Sequence, residues 1–212
     1  MLRDWNFWCT VMTSVAAFIA IYLSVRQMQL SNKQQLFDRR LKAYMLAKGI
    51  ISLCKKNYIW LSEKREAEPQ LANDFVFMCF TNNAYMESQA KAIQQPLEQP
   101  FHSEFLKKRE ELRSMAMEFE LIFKGDIALQ YSNFLRDYEK TLAVMYQYQI
   151  IIKKINEENI KHPRPLKELS QLFSEKKYRD NLYEALDKLR ESYDAVAQEK
   201  VEKKLRKQIA LI

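Results

Sequence analysis

The chain has 212 residues, the length of one domain or of a domain with an anchor. Two glycines (Gly49 and Gly125) and five prolines leave no phosphate-cradling glycine loop, and too few positive-φ turns for a sandwich, a barrel or a doubly wound sheet. A composition 48% apolar and 29% charged, with a net charge of +7, excludes wholesale disorder and points to a mostly helical protein.

Residues 5–25, WNFWCTVMTSVAAFIAIYLSV, carry 16 apolar side chains among 21 and no charge. As a helix this stretch spans about 31 Å, the thickness of a bilayer's hydrocarbon core. Trp5 and Trp8 near one end and Tyr22 toward the other stand where amphipathic rings prefer the membrane interface. The run is longer than a signal-peptide core, and no small-x-small cleavage site follows it. The reading is a retained transmembrane helix. Arg3 and Asp4 precede it, whereas Arg26, Lys33, Arg39, Arg40 and Lys42 follow against one acid, Asp38. That asymmetry predicts a single pass through the inner (plasma) membrane, N-terminus outside and C-terminus cytoplasmic. Ala16, Ala20 and Ser24 recur every fourth residue, with Thr13 and Ala17 on an adjoining row, a packing face for another transmembrane helix.

Beyond the span, Leu30, Phe37, Tyr44, Ile51 and Tyr58 repeat every seven residues, so one helix is expected to run unbroken to about Glu66, ended by Glu68-Pro69. A second helix is predicted over 71–93, bearing Phe75, Phe77, Met78 and Phe80, before Pro96 and Pro100 break the chain. The third, about 103–123, carries Phe105, Leu112, Ala116, Phe119 and Phe123 at coiled-coil spacing. Gly125 is expected to close it in the left-handed conformation, and Asp126 to cap the next helix. That fourth helix, about 127–161, buries Phe134, Tyr138, Leu142, Met145 and Ile152 and stops at His162-Pro163-Arg164-Pro165. A last segment from Leu166 pauses near Ser174, a further expected N-cap. It then carries Leu182, Leu186, Leu189, Tyr193 and Val196, and a stutter or a frayed end moves the seam to Val201, Leu205 and Ile209. The fold class is therefore all-α: a transmembrane helix (1–25), a basic juxtamembrane helix (26–66) and an antiparallel bundle body (67–212, broken at 162–165), with four to five long cytoplasmic helices.

No catalytic constellation emerges. His102 and His162 both flank proline breaks without a nucleophile elbow, an HExxH or a Glu-x-x-His pair. Cys9, Cys54 and Cys79 form no metal-ligand spacing and no closed disulfide set. Glu110-Glu111 and Glu157-Glu158 stand among lysines and arginines, as on solvated helix faces. The expectation is a protein that is not an enzyme and holds no cofactor or metal.

Charge is more telling. Between Arg26 and Glu66 ten basic residues face three acids, which accounts for the whole net charge, since the remaining 24 basic and 24 acidic residues cancel. The nearest cations favour an anionic leaflet. Lys55, Lys56, Lys64 and Arg65 lie too far along the helix for that and form a candidate patch for nucleic acid or an acidic partner.

Asn32-Lys33-Gln34-Gln35-Leu36-Phe37-Asp38-Arg39-Arg40-Leu41-Lys42-Ala43-Tyr44, directly after the span, resembles a segment in a loose group of bacterial single-pass membrane proteins with helical cytoplasmic domains. The resemblance implies a membrane subunit of a stress or phage-defence system and transfers no catalytic residues. The motif also has a local reading: Asp38 and Lys42 at ion-pair spacing, with Leu36, Phe37, Leu41 and Tyr44 on the buried side. The function expected is a membrane-tethered interaction or effector subunit, with the bilayer and a protein partner or second copy as its contacts. The alternative is a tethered sensor binding nucleic acid or anionic lipid through 26–66.

Overall fold

The computed structural model describes residues 2–62 and 72–210, which form nine α-helices and no strand. Helix α1, Leu2–Lys56, is 55 residues of unbroken helix, about 82 Å long. The described side chains of its first part are left uncovered by the bundle: Trp5 and Phe18, for example, are 71% and 75% exposed. By length and composition this helix is apolar enough to cross a membrane, and none of its apolar window is covered by the rest of the chain. From Phe37 onward the same helix packs. Ala43, Tyr44, Ala47, Ile50, Ile51 and Cys54 are buried, on one face at steps of three and four.

Helix α1 stops ten residues short of the expected end. The Asn57 side chain donates from Nδ2 to the carbonyls of Leu53 (2.9 Å) and Cys79 (3.1 Å), drawing off a carbonyl at the helix end. A short α2, Ile59–Ser62, follows, with Leu61 buried and Trp60 edge-on to Phe75. The expected stop at Glu66 to Pro69 lies outside the described residues. The predicted 71–93 helix is two helices, α3 (Asn73–Thr81) and α4 (Ala90–Gln94), with a 3-10 turn at Glu87–Gln89 between. Asn83 makes the break: its Oδ1 accepts from the amides of Tyr85 and Met86 at 3.0 and 2.9 Å, a turn that competes with helix. Phe77 and Phe80 are buried and Phe75 is exposed.

Helix α5 (Phe101–Ile122) buries Phe105, Leu112, Ala116 and Phe119. It ends in extended backbone at Phe123, and Gly125 follows at φ 76°, ψ −167°. Glycine reaches that region and other residues essentially do not. Gly125 therefore opens α6 rather than closing α5 as expected, and Asp126 is the first residue of α6 rather than its cap, with no side-chain capping bond.

Helix α6 (Asp126–Lys161) is 36 residues long and forms the axis of the bundle, packed on α5 along one side and α8 along another. The expected stripe Phe134, Tyr138, Leu142, Met145 and Ile152 is buried throughout. Two of its buried tyrosines bring their hydroxyls to partners: Tyr138 to the Phe80 carbonyl (2.6 Å) and Tyr148 to Glu175 (2.6 Å). Then come α7 (Leu166–Leu172), α8 (Glu175–Val196) and α9 (Glu199–Ile209). Ser174 takes a left-handed conformation (φ 50°, ψ 38°) and makes no cap bond. The seam change near Lys200 is neither a stutter nor fraying. The backbone is extended at Gln198, so α9 restarts with Leu205 and Ile209 buried and Lys200 and Lys203 exposed.

Candidate functional site at the junction of the long helix

The point where α1 enters the bundle gathers the most specific polar contacts. Arg40 donates from Nε to the carbonyl of Ile122 (2.7 Å) and from Nη1 to that of Gln208 (2.6 Å), with its guanidinium 5.8 Å from the centre of the Phe123 ring. Those carbonyls belong to the last turns of α5 and α9. A helix end leaves carbonyls unpaired and carries partial negative charge. One planar donor fork satisfies two such ends at once. Gln208 completes the knot, accepting the Lys124 amide at Oε1 (2.8 Å) and donating from Nε2 to the Lys124 carbonyl (3.0 Å).

One turn further along α1, Glu202 of α9 accepts from the Tyr44 hydroxyl (2.8 Å) and from Lys48 Nζ (2.6 Å), and Arg206 Nε reaches the Tyr44 oxygen at 3.1 Å. The hydrogen bond from Lys48, then that from Tyr44, holds the Glu202 carboxyl below its ordinary value. Helix α9 is thus a strap over α1.

A second charged cluster joins α5 to α6. Glu139 is 6% exposed and accepts from Arg109 Nε at 2.6 Å, with Arg113 Nη2 3.2 Å away. Glu139 raises the Arg113 guanidinium above its ordinary value. This pairing is structural, since removing one partner would leave a buried charge uncompensated.

The residues singled out in the sequence are dispersed. Trp5, Trp8 and Tyr22 are exposed along the free part of α1, as are Ala16, Ala20 and Ser24. Lys55 and Lys56 are exposed in the last turn of α1, where cations also suit the helix's negative end. Lys64 and Arg65 lie outside the described residues, so the structure brings together only half of that patch. Two more of the ten cations of 26–66 are spent within the chain: Arg40 on carbonyls and Lys48 on Glu202. Leu36 and Leu41, expected on the buried side, are 37% and 39% exposed, and Asp38 makes no ion pair with Lys42. Phe37 and Tyr44 do pack on the core.

The two histidines stand in different settings. His102 Nδ1 and the Tyr146 hydroxyl share a 2.8 Å hydrogen bond with their rings stacked, and the same hydroxyl accepts the Leu97 amide. His162 is exposed at the end of α6. Burial pushes the Cys54 thiol well up and that of Cys79 up, the opposite of an activated nucleophile. Among the described residues no group of three or more His, Cys, Asp or Glu side chains is placed to hold a metal ion. Compared with protein-family models, curated proteins and solved structures, the chain matches none.

The sequence reading missed Arg40, Glu139 and Glu202. Glu139 did carry a signal: it stands at the step of four and three between Leu135, Leu142 and Tyr146, an acid on an apolar stripe. Arg40 carried none, because its partners are backbone carbonyls 82 and 168 residues away.

Proposed function

We propose that the protein is a single-pass membrane protein whose helical bundle faces the cytoplasm and works by protein contact, as a tethered interaction or effector subunit of a bacterial inner membrane. The observation that carries this reading is α1 itself: one helix whose apolar part is bare on every side and whose other end is bolted into a packed bundle. Apolar surface on that scale needs a cover, and lipid over about 31 Å of helix supplies it. Positive charge after the span and its scarcity before it support the orientation. Contact rather than chemistry fits a bundle in which the carboxylates of Glu139 and Glu202 are engaged in holding helices together.

The test is cross-linking in native membranes followed by identification of the attached protein. A discrete adduct, dependent on the folded bundle, is expected. A chain found in the soluble fraction, or one that remains unattached in the membrane at every cross-linker length, would overturn the proposal.

A further inference from the structure

Between α1 and α5 runs an open groove of about 650 Å³. Its floor includes Leu46 and Met115. One wall carries Arg39 and Lys42 of α1, and the other Glu111 and Glu118 of α5. Glu111 is engaged by Lys108 at 2.7 Å. Arg39, Lys42 and Glu118 have no ion-pair partner among the described residues, although opposite charges face each other across the gap. A basic wall and an acidic wall over an apolar floor make a self-complementary surface. A two-fold axis along the groove lays the basic wall of one copy on the acidic wall of the other, twice.

The rest of α1 agrees with that axis. At 3.6 residues per turn, the 18 residues from Ser24 to Lys42 make about five turns, and the 29 residues from Ala17 to Leu46 make about eight. Thr10 to Arg39 is also 29 residues. The row of small residues Thr10, Ala17 and Ser24 therefore lies in line with the basic wall and floor of the groove, on a helix continuous over the whole distance. Small side chains allow close approach of two helices in lipid. A second copy in the same bilayer necessarily presents its groove at the same depth.

We infer that the protein forms a parallel two-fold dimer with a second copy of itself, through the groove between α1 and α5 and the in-line face of the span. Arg39 and Lys42 of each copy meet Glu118 of the other. The inference rests on the membrane-anchored reading above and names one partner for it.

The experiment is disulfide scanning of the full chain in membranes, with Cys9→Ala as background. Met28→Cys and Gln35→Cys lie on the dimer face, while Leu30→Cys and Lys33→Cys point well away from it, and all four positions are exposed in the single chain. Oxidation is expected to give a covalent dimer at 28 and 35 and at least about tenfold less at 30 and 33. With Gln35→Cys in place, Arg39→Glu or Glu118→Arg alone should abolish the dimer, and the two together should restore it, which a general effect on folding would not do. Equal cross-linking at all four positions, or no dimer from a chain that is membrane-inserted, overturns the inference while leaving the tethered reading intact. Absence of the chain from the membrane overturns both.

Discussion

The two ends of α1 are one helix with two surfaces. Phe18 and Ile19 are large apolar side chains, yet they stay bare, whereas Ala47 and Ile50 are fully covered by the bundle. The difference follows from pattern. In the first part apolar residues run round the whole circumference, so no one-sided bundle could cover them. From Phe37 on most of them keep to one stripe, and the opposite face is polar apart from Leu41 and Met45. An all-round apolar helix belongs in lipid and a striped one in a core. Residues 26–36, exposed and polar apart from Met28, Leu30 and Leu36, form a neck of about 17 Å between the two.

Substitutions in the two regions separate these roles, beginning with the largest effect. Phe134→Ala, in a fully buried position of α6, should cost about 3–5 kcal/mol of bundle stability. Phe18→Ala should leave bundle unfolding unchanged. Thermal melts of the full chain in detergent distinguish the two, and a similar loss for both would mean that the span packs on the bundle.

Arg40→Ala comes next. It strips the donor from the terminal carbonyls of α5 and α9, and because Arg40 is only half-buried the two bonds together should be worth about 1.5–3 kcal/mol. The melt should fall by less than for Phe134→Ala, and hydrogen exchange should rise first in α9. Arg40→Lys should not rescue it, since an ammonium lacks the planar fork.

The glycines make a smaller, signed pair. Gly125→Ala should destabilise by about 1–3 kcal/mol through backbone strain alone, because nothing lies within 4 Å of the added methyl. Gly49→Ala should stabilise by up to about 1 kcal/mol, since its new methyl meets only Asn83 Nδ2 at an ordinary 3.8 Å. Chemical denaturation of the two variants checks the opposite signs.

The least effect is expected from acid. Glu202 is held below its ordinary value of 4.5, so its contribution is present in full above that value and is lost as pH falls through the lowered one. Glu202→Gln should flatten this part of the stability profile below about pH 4.5, read as the pH dependence of α9 hydrogen exchange. An unchanged acid limb would mean that another carboxylate governs it.

Much of the fold was legible in the sequence because it rests on local periodicity. The stripes on α5, α6 and α8, and the breaks at His162 to Pro165, are written in spacing and in proline. The misreadings share a cause. Asn57 and Asn83 end helices with side-chain bonds to backbone, which the pattern of apolar residues does not register. Gly125 announced a turn, but not on which side of it the helix lay. The junction was less legible still. Arg40 and Gln208 recognise backbone atoms at helix ends, and which ends meet is decided only by the tertiary arrangement. The basic excess after the span was visible as charge, but not that Arg40 and Lys48 would be consumed by it.

The central claim is that α1 carries the chain through a bilayer with its bundle held on the cytoplasmic side. Alkaline carbonate extraction of membranes, followed by protease treatment of right-side-out and inverted vesicles, tests it most directly. The account predicts a chain that stays in the membrane pellet and a bundle cut only in inverted vesicles. Release into the supernatant, or cleavage of the bundle in right-side-out vesicles, would contradict it.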